Sequence, residues 1–243
     1  MFRTTTIFIL LFACVVNNSS TYLAPFVKKC KSNDNECLLS SNLQIALPYI
    51  AEGIPEIGVP GTDPLVLENL TMGSEDSVFK FILPALKIQG GRKCKIADFK
   101  QSQQDSVMKL TLDCPFLGTG PYKFIGQWGI FHLEKEGDFK IHTDSMKTSM
   151  TIKMEKTAIN GKKYWNLLSF EYSSEPSQSM HIEFDGLFAG ELDRARSFLS
   201  AMDKNWDSTL QIGGPMADGI VKNTFECLKK FFLRVPIEDL LRA

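Results

Sequence analysis

Histidine is the side chain most often used for acid–base catalysis and metal binding, and this chain has three: His132, His142 and His181. Their spacing contains no His-Glu-x-x-His zinc motif, and no Gly-x-Ser-x-Gly sequence is present to hold a serine nucleophile. The glycines in residues 58–61 lack the Lys-Ser/Thr pair that follows a phosphate-binding loop. We therefore predict no catalytic residue, no metal site and no cofactor, and expect a protein that is not an enzyme.

The cysteines favour disulfide bonds over metal ligation. No Cys-x-x-Cys pair occurs among them, which argues against a structural zinc site. Cys30 and Cys37 enclose a short polar loop, a spacing that suits a local bridge worth roughly 2–3 kcal/mol in the chain-entropy model.

A predicted hairpin brings Cys94 and Cys114 together. Apolar residues alternate along two strand-like runs that are separated by a polar connection. In a simple antiparallel pairing, Ile96 lies opposite Leu112. The same register places Cys94 opposite Cys114, close enough for a bridge. Cys227, on a predicted C-terminal helix, could instead pair with one of them. Of the five cysteines beyond residue 20, one is left without a disulfide partner in either case, and we expect Cys227 to be a buried free thiol.

The N-terminus has the layout of a secretory signal peptide, predicted over residues 1–20. Arg3 precedes the apolar run Ile7–Val16, and polar residues end that run. The run is far shorter than the ~20 apolar residues that a membrane span needs. Cleavage would remove Cys14 and leave one mature domain, residues 21–243, in an extracellular fluid where disulfides are stable.

Composition points to a globular domain without a specialised surface. Hydrophobic residues make up 44% of the chain, and 27 basic residues nearly cancel 28 acidic ones. Without a basic stripe, nucleic acid is not an expected partner. We expect a monomer without stable membrane insertion. Asn69 begins a glycosylation sequon, Asn69-Leu70-Thr71, which we expect at the surface and glycosylated.

The N-terminal half of the pattern predicts one helix followed by a sheet. Residues 38–54 have apolar positions at helical spacing, with Pro48 expected to kink or restart the helix and Gly53 to end it. From about residue 65 to residue 184 the dominant period is two, and Asn160-Gly161 between two such runs is a strong hairpin signal. Many consecutive strands with polar connections predict a large antiparallel sheet.

Helical spacing returns in the C-terminal part. Residues 190–206 form one predicted helix, and Gly213-Gly214-Pro215 should break the chain and start a last helix that ends before Pro236. This last helix is apolar over much of its circumference, so we expect it to be buried against or inside the sheet.

Four segments in order resemble the insect takeout and juvenile-hormone-binding protein family. They are PFVKKCKSNDNECL with the following LPYIAEGIPEIGVPGTDPL, LGTGPYKFIGQWGIFHLEKEGDFKI, FDGLFAGELDRARSFLSAMDKNW, and the ending FFLRVPIEDLL. In the second segment the family's glycine and aromatic positions are held by Gly120, Tyr122, Gly126, Gly137 and Phe139. The resemblance implies an α+β fold in which a strongly curved antiparallel sheet wraps a long helix and leaves an apolar tunnel. The Cys94/Cys114 pair departs from the second bridge of the hormone carriers, which places the chain nearer the takeout branch.

The resemblance implies a carrier of a small hydrophobic ligand, such as a terpenoid, a fatty acid or a related lipid, in haemolymph or another extracellular fluid. The alternative is a secreted interaction or signalling protein of the same fold whose tunnel has closed. A carrier needs a concave apolar surface with few polar groups, although each such residue can equally be packed core. The expected lining residues are Leu43, Leu47 and Ile50 on the first helix, Phe79, Phe81, Phe124, Trp128 and Phe131 in the sheet region, and Met216, Ile220 and Phe225 on the last helix.

Methionines and tyrosines are further candidates. Methionine adapts to irregular apolar shapes, whether in a ligand site or in a core; the methionines in question are Met146, Met150, Met154 and Met216. The hydroxyls of Tyr122, Tyr164 and Tyr172 could bond a ligand oxygen, but the family motif around Tyr122 indicates a structural role.

Overall fold

The computed structural model describes the chain from residue 27 to residue 242. The residues it leaves undescribed within these limits are 32–33, 73–78, 103–105, 129–130, 178–179 and most of 188–205. The predicted signal peptide therefore lies outside the described residues. The predicted helix 190–206 does so too, except for Trp206 and for Asp193 and Ser197, which are helical.

The first helix runs through three consecutive segments. An α-helical turn, Asn35–Cys37, continues into the π-helical stretch Leu38–Leu43 and then the α-helix Gln44–Glu52. Asp34 caps the start, because its carboxylate accepts a hydrogen bond from the Cys37 backbone N–H at 2.9 Å. Gly53 ends the helix with φ +99°, as expected for a glycine stop. The helix continues through Pro48 without a restart.

The central sheet is antiparallel and built on two very long strands. The strands are β1 (Cys30–Lys31), β2 (Leu65–Met72), β3 (Phe79–Gln89), β4 (Lys95–Ser102), β5 (Val107–Trp128), β6 (Phe131–Ile159), β7 (Lys162–Pro176), β8 (His181–Phe184) and β9 (Leu241–Arg242). β5 has 22 residues and β6 has 29, whereas most strands have about 5–6. Each long strand pairs with two shorter ones along its length: β5 with β4 and then β3, and β6 with β8 and then β7.

Both hairpin predictions are confirmed. Asn160 and Gly161 have φ of 51° and 79° and join β6 to β7, which is the positive-φ pair that a tight two-residue hairpin requires. Ile96 lies opposite Leu112 in the β4–β5 pairing. Lys95 lies opposite Asp113 in the same pairing, and one pair further on Cys94 is bridged to Cys114.

The predicted disulfides are both present, and the odd cysteine is the expected one. The structure joins Cys30 to Cys37 and Cys94 to Cys114. Cys227 is a buried free thiol on the C-terminal helix, where it lies 3.5 Å from the backbone oxygen of Pro60. Burial raises the pKa of the Cys227 thiol, so it remains protonated and unreactive at neutral pH.

The C-terminal helix corrects one prediction. It runs without a break from Trp206–Phe232, so Gly213-Gly214-Pro215 lies inside it rather than at its start. Helix propensity alone would cost about 1 kcal/mol for each glycine and about 3 kcal/mol for the proline. Burial of the apolar stripe that includes Met216, Val221 and Phe225 offsets that cost. The helix ends at Phe232, and Pro236 starts the short last helix Ile237–Leu240.

The sheet curls around this helix. β2 and β7 stand at the two ends of the strand order β2-β3-β5-β6-β7, and the C-terminal helix packs against both. Two edges of one sheet can contact the same helix only if the sheet is strongly curved. The fold is therefore α+β, with a curved antiparallel sheet around a long helix, as the resemblance implied.

The buried residues form two clusters along the helix. One joins the first helix, β4, the first half of β5, β7 and the second half of the C-terminal helix. The other joins β2, β3, the second half of β5 and β8, with Met216 from the helix. A parallel pairing of β1 with β9 ties the two ends of the described chain together beside the first cluster.

The glycine and aromatic motif of the long hairpin has a structural role. A Cβ added to Gly120 would lie 2.1 Å from the backbone oxygen of Ala85, where β3 shifts register against β5. Tyr122 donates a hydrogen bond to the backbone oxygen of Asp185 at 2.8 Å. A Cβ on Gly137 would lie 2.0 Å from that same oxygen. The motif thus lets the backbone at Ala85 and at Asp185 pack against the hairpin at distances that only glycine permits.

Replacing Gly120 with alanine is expected to lower the free energy of unfolding by about 3 kcal/mol, because backbone rather than a flexible side chain must move to admit the methyl group. The matched control is Gly213→Ala, where an added Cβ meets nothing within 4 Å and helix propensity predicts a gain of up to about 1 kcal/mol. Urea unfolding of both variants checks this; equal stability of the two would show that the Gly120 contact is unimportant.

Candidate functional site

A cavity of about 220 Å³ lies between the two core clusters. One wall is the C-terminal helix, and the other is the inner face of the curved sheet. Its main lining residues are Leu47, Ile50, Ala51, Leu65, Met72, Phe81, Ile88, Leu110, Leu112, Phe116, Phe139, Ile141, Met146, Met150, Met180, Ile182, Phe184, Met216, Ala217, Ile220, Val221 and Leu228, with both cysteines of the Cys94–Cys114 bridge.

Regular spacing explains how the walls form. Alternate residues of a strand face the same side of the sheet, so β6 presents Met146 and Met150 to the cavity. Residues of the C-terminal helix separated by three or four positions share one helix face, so Met216, Ile220 and Leu228 reach the cavity from the opposite side.

The cavity holds no charge on its described walls. The side chains with polar atoms that line it are those of Thr62, Gln89, Thr148, Ser174 and Thr224. The Thr224 hydroxyl already donates to the backbone oxygen of Ile220 at 2.9 Å. Thr148 and Ser174 bond each other. Because an ionised group loses its hydration on entering such a space and finds no counter-ion, the cavity favours uncharged apolar molecules.

The structure brings five of the predicted lining residues to this cavity. They are Leu47, Ile50, Phe81, Met216 and Ile220.

Three predicted lining residues lie elsewhere. Leu43 borders a second, smaller cavity of about 50 Å³ between the first helix and β4. Phe124 packs against Phe81, with ring centroids 4.8 Å apart, and Phe225 packs against Phe170 at 4.6 Å. Aromatic stacking within the core thus occupies both phenylalanines. The side chains of Phe79, Trp128 and Phe131 lie outside the described residues.

The residues missed from the sequence come mostly from the strands. Leu110, Leu112, Ile141 and Phe184 all line the cavity, and their signal was the period-two alternation itself, which does not say which face is concave. Of the methionines singled out, Met146, Met150 and Met216 line this cavity, and Met154 lines the smaller one.

Two of the three candidate tyrosines are occupied by structural bonds. The Tyr122 hydroxyl bonds the backbone of Asp185, and the Tyr172 hydroxyl of β7 donates to the carboxylate of Asp218 on the C-terminal helix. Burial raises the pKa of Tyr122 to about 12, with a smaller effect of the Asp185 charge. The pKa of Tyr172 is also raised to about 12, mainly by burial and to a smaller extent by the hydrogen bond to Asp218. Tyr164 is half-buried on β7 and is not among the cavity residues.

These shifts predict late ionisation of two tyrosines in a spectrophotometric titration. The folded pKa lies above the ordinary value of 10.0, so the stabilisation by each neutral hydroxyl is complete below pH 10 and is lost as pH rises through about 12. Tyr172→Phe is expected to remove one of the two late-titrating groups. An unchanged late amplitude in that variant would contradict the assignment. Tyr164→Phe, which makes the same change on the same strand, is the control.

Two of the three histidines lie side by side in the described part of the chain. His142 and His181 stack with ring centroids 4.9 Å apart, and the His132 side chain is not described. Over the residues described, no cluster of three or more His, Cys, Asp or Glu side chains is arranged to bind a metal ion. The same part of the chain has no helix long and apolar enough to cross a membrane. Asn69 is exposed on β2, with φ 54°.

Comparison with known proteins finds a family model and solved structures that are similar to this chain. A sequence model of the family described as haemolymph juvenile hormone binding protein (JHBP) matches residues 8–242. The crystal structure of Takeout 1 from Epiphyas postvittana superposes with a TM-score of 0.79 at 21% sequence identity, covering 89% of this chain and 100% of that chain. A lipopolysaccharide binding protein aligns with a TM-score of 0.40 at 12% identity, over 69% of this chain and 35% of that chain. A comparison with curated protein sequences gives no match.

Proposed function

The chain belongs to the haemolymph juvenile hormone binding protein family, and we propose that it is a secreted carrier that encloses one small hydrophobic molecule. The observation that carries this proposal is the uncharged apolar cavity between the sheet and the C-terminal helix. Terpenoids, fatty acyl esters and related lipids are the ligand classes that such a cavity suits.

Burial of apolar surface would supply the affinity. Each Å² of ligand removed from water contributes about 25 cal/mol, so a ligand that buries roughly 300 Å² gains about 7 kcal/mol before the costs of association. Hydrogen bonds and charge are then needed for selectivity rather than for affinity. This fits walls made of Leu, Ile, Phe and Met side chains.

The proposed ligand contacts come from three directions. Leu47 and Ile50 approach from the first helix, Phe81 from β3, and Met216 and Ile220 from the C-terminal helix. Phe124 supports the Phe81 wall by packing against it, whereas Phe225 and Leu43 belong to the core cluster around the first helix. The predicted contacts of Phe79, Trp128 and Phe131 stay proposals from the sequence alone. The methionine thioethers let the wall adjust to the shape of the ligand.

Secretion and a monomeric, non-catalytic mode of action complete the proposal. Two disulfides fit an oxidising extracellular environment, and residues 1–20 have the signal-peptide layout. The exposed position of Asn69 suits glycosylation in that environment. Haemolymph or another extracellular fluid is the proposed location.

Titration with the fluorescent probe N-phenyl-1-naphthylamine tests the proposal. We expect saturable binding of one probe per chain and displacement by a terpenoid or a fatty acyl ester. The control is the same titration in denaturant. A folded protein, verified by circular dichroism, that ignores the probe would overturn the carrier function and favour the interaction protein with a closed tunnel.

A further inference from the structure

Thr148 and Ser174 form a polar pair on the otherwise apolar inner face of the sheet. Thr148 on β6 lies directly opposite Ser174 on β7, and their hydroxyl oxygens are 2.9 Å apart. Both residues line the cavity. Along β6 the same face continues with Met146 and Met150, and across β5 it continues with Leu112, all of which line the cavity as well.

The pair leaves one hydrogen-bond donor for a partner inside the cavity. Each hydroxyl carries one donor hydrogen and two acceptor lone pairs, and the bond between the two oxygens uses a single hydrogen. Both residues are half-buried, a donor left there without a partner is costly, and two aliphatic side chains of similar shape would avoid the cost. Thr224, the cavity hydroxyl from the helix, is already used by its own backbone bond to Ile220. The other polar lining residues are Gln89, which is exposed at the end of β3, and Thr62, in the loop before β2.

We infer that the Thr148–Ser174 hydroxyl pair is the polar anchor of the ligand site, and that it selects a neutral molecule bearing an oxygen acceptor, such as a ketone, ester or ether. This inference rests on the proposed carrier function and specifies its ligand. A carboxylate needs a cation or several donors when it leaves water. The described walls carry no cation, and their side-chain donors other than this pair and Thr224 are those of Gln89, at the exposed end of β3, and Thr62, in the loop before β2. The free donor of the pair suits a single neutral oxygen.

The outer face of the same sheet provides a matched control. Thr111 on β5 and Ser149 on β6 also lie opposite each other, with hydroxyl oxygens 3.0 Å apart, but this pair is exposed to solvent. Cross-strand hydroxyl pairs stabilise sheets wherever they occur. A purely structural role would therefore make the two pairs equivalent in every binding measurement.

The test measures displacement of N-phenyl-1-naphthylamine by dodecane, 2-dodecanone and dodecanoate at neutral pH. In Thr148→Val/Ser174→Ala we expect the affinity for 2-dodecanone to fall about threefold to tenfold, the worth of one hydrogen bond, while the affinity for dodecane is unchanged or rises. In Thr111→Val/Ser149→Ala both affinities should be unchanged. In the wild type, dodecanoate should bind about a hundredfold more weakly than the ketone, because the ion must lose its hydration.

The remaining outcomes distinguish failure of the polar anchor from failure of the carrier function. Equal ketone affinity in the wild type and the inner-face variant, or wild-type dodecanoate binding as tight as that of the ketone, would overturn the anchor but leave the carrier function in place. A wild-type protein that binds neither probe nor dodecane would overturn the carrier function itself. The single variants Thr148→Val and Ser174→Ala replace the double variant if it fails to fold, and dodecane displacement reports their integrity.

Discussion

Ala217→Trp is expected to weaken binding of a hydrophobic probe by about a hundredfold or more. Ala217 lines the cavity from the C-terminal helix between Met216 and Ile220. An indole in this position would occupy much of the space of about 220 Å³, so that the ligand could no longer bury the apolar area that supplies its affinity. The fold should tolerate the change because the new ring fills space that already exists.

Lys222→Trp is the control for the cavity variant. Lys222 is exposed on the same helix, so the same substituent is added to the opposite surface and should leave probe affinity unchanged. Fluorescence titration of the two variants, together with thermal unfolding of each, separates blocked binding from unfolding. Unchanged affinity in Ala217→Trp would place the ligand site outside this cavity.

Removal of the Cys94–Cys114 bridge is expected to lower the free energy of unfolding by about as much as Gly120→Ala. The bridge closes a sequence separation of 20 residues, for which the chain-entropy model gives about 3 kcal/mol. For a chain of this size that corresponds to a Tm lower by roughly 6–12 °C. Both cysteines also line the cavity, so Cys94→Ala/Cys114→Ala should bind probe more weakly.

The Cys94–Cys114 bridge also lies beside hydrogen bonds that join the first helix to β4. The Gln44 side chain of the first helix donates to the Cys94 backbone oxygen at 3.2 Å and accepts from the Ile96 N–H at 2.8 Å. Loss of the bridge therefore loosens the contact between the first helix and β4 as well. Calorimetry of the double variant beside Cys227→Ala, which removes a thiol that forms no bridge, makes the comparison. An unchanged Tm in the double variant would contradict the account.

Local sequence signals predicted much of this fold. The Asn160-Gly161 turn and the Ile96–Leu112 register were both readable because turn chemistry and period-two alternation act over a few residues. Gly213-Gly214-Pro215 was misread as a helix start for the opposite reason. Its local propensity opposes a helix, and only packing against distant strands, invisible in a short window, overrides that propensity.

The ligand site was harder to predict, because bulges change which residues face inward. Along β6 the cavity residues are Phe139 and Ile141, at odd positions, and then Met146 and Thr148, at even positions. The register between β5 and β6 shifts between these two groups. An extra residue in one strand reverses the alternation beyond it. No pattern in the sequence marks that residue.

The most direct test of the account is native mass spectrometry of the protein secreted by an insect host that expresses the whole sequence, followed by denaturation and identification of any released compound. We expect release of one uncharged hydrophobic molecule per chain, with the Ala217→Trp variant secreted but empty. A wild-type protein that is equally empty, and that takes up no added terpenoid or fatty acyl ester, would contradict it.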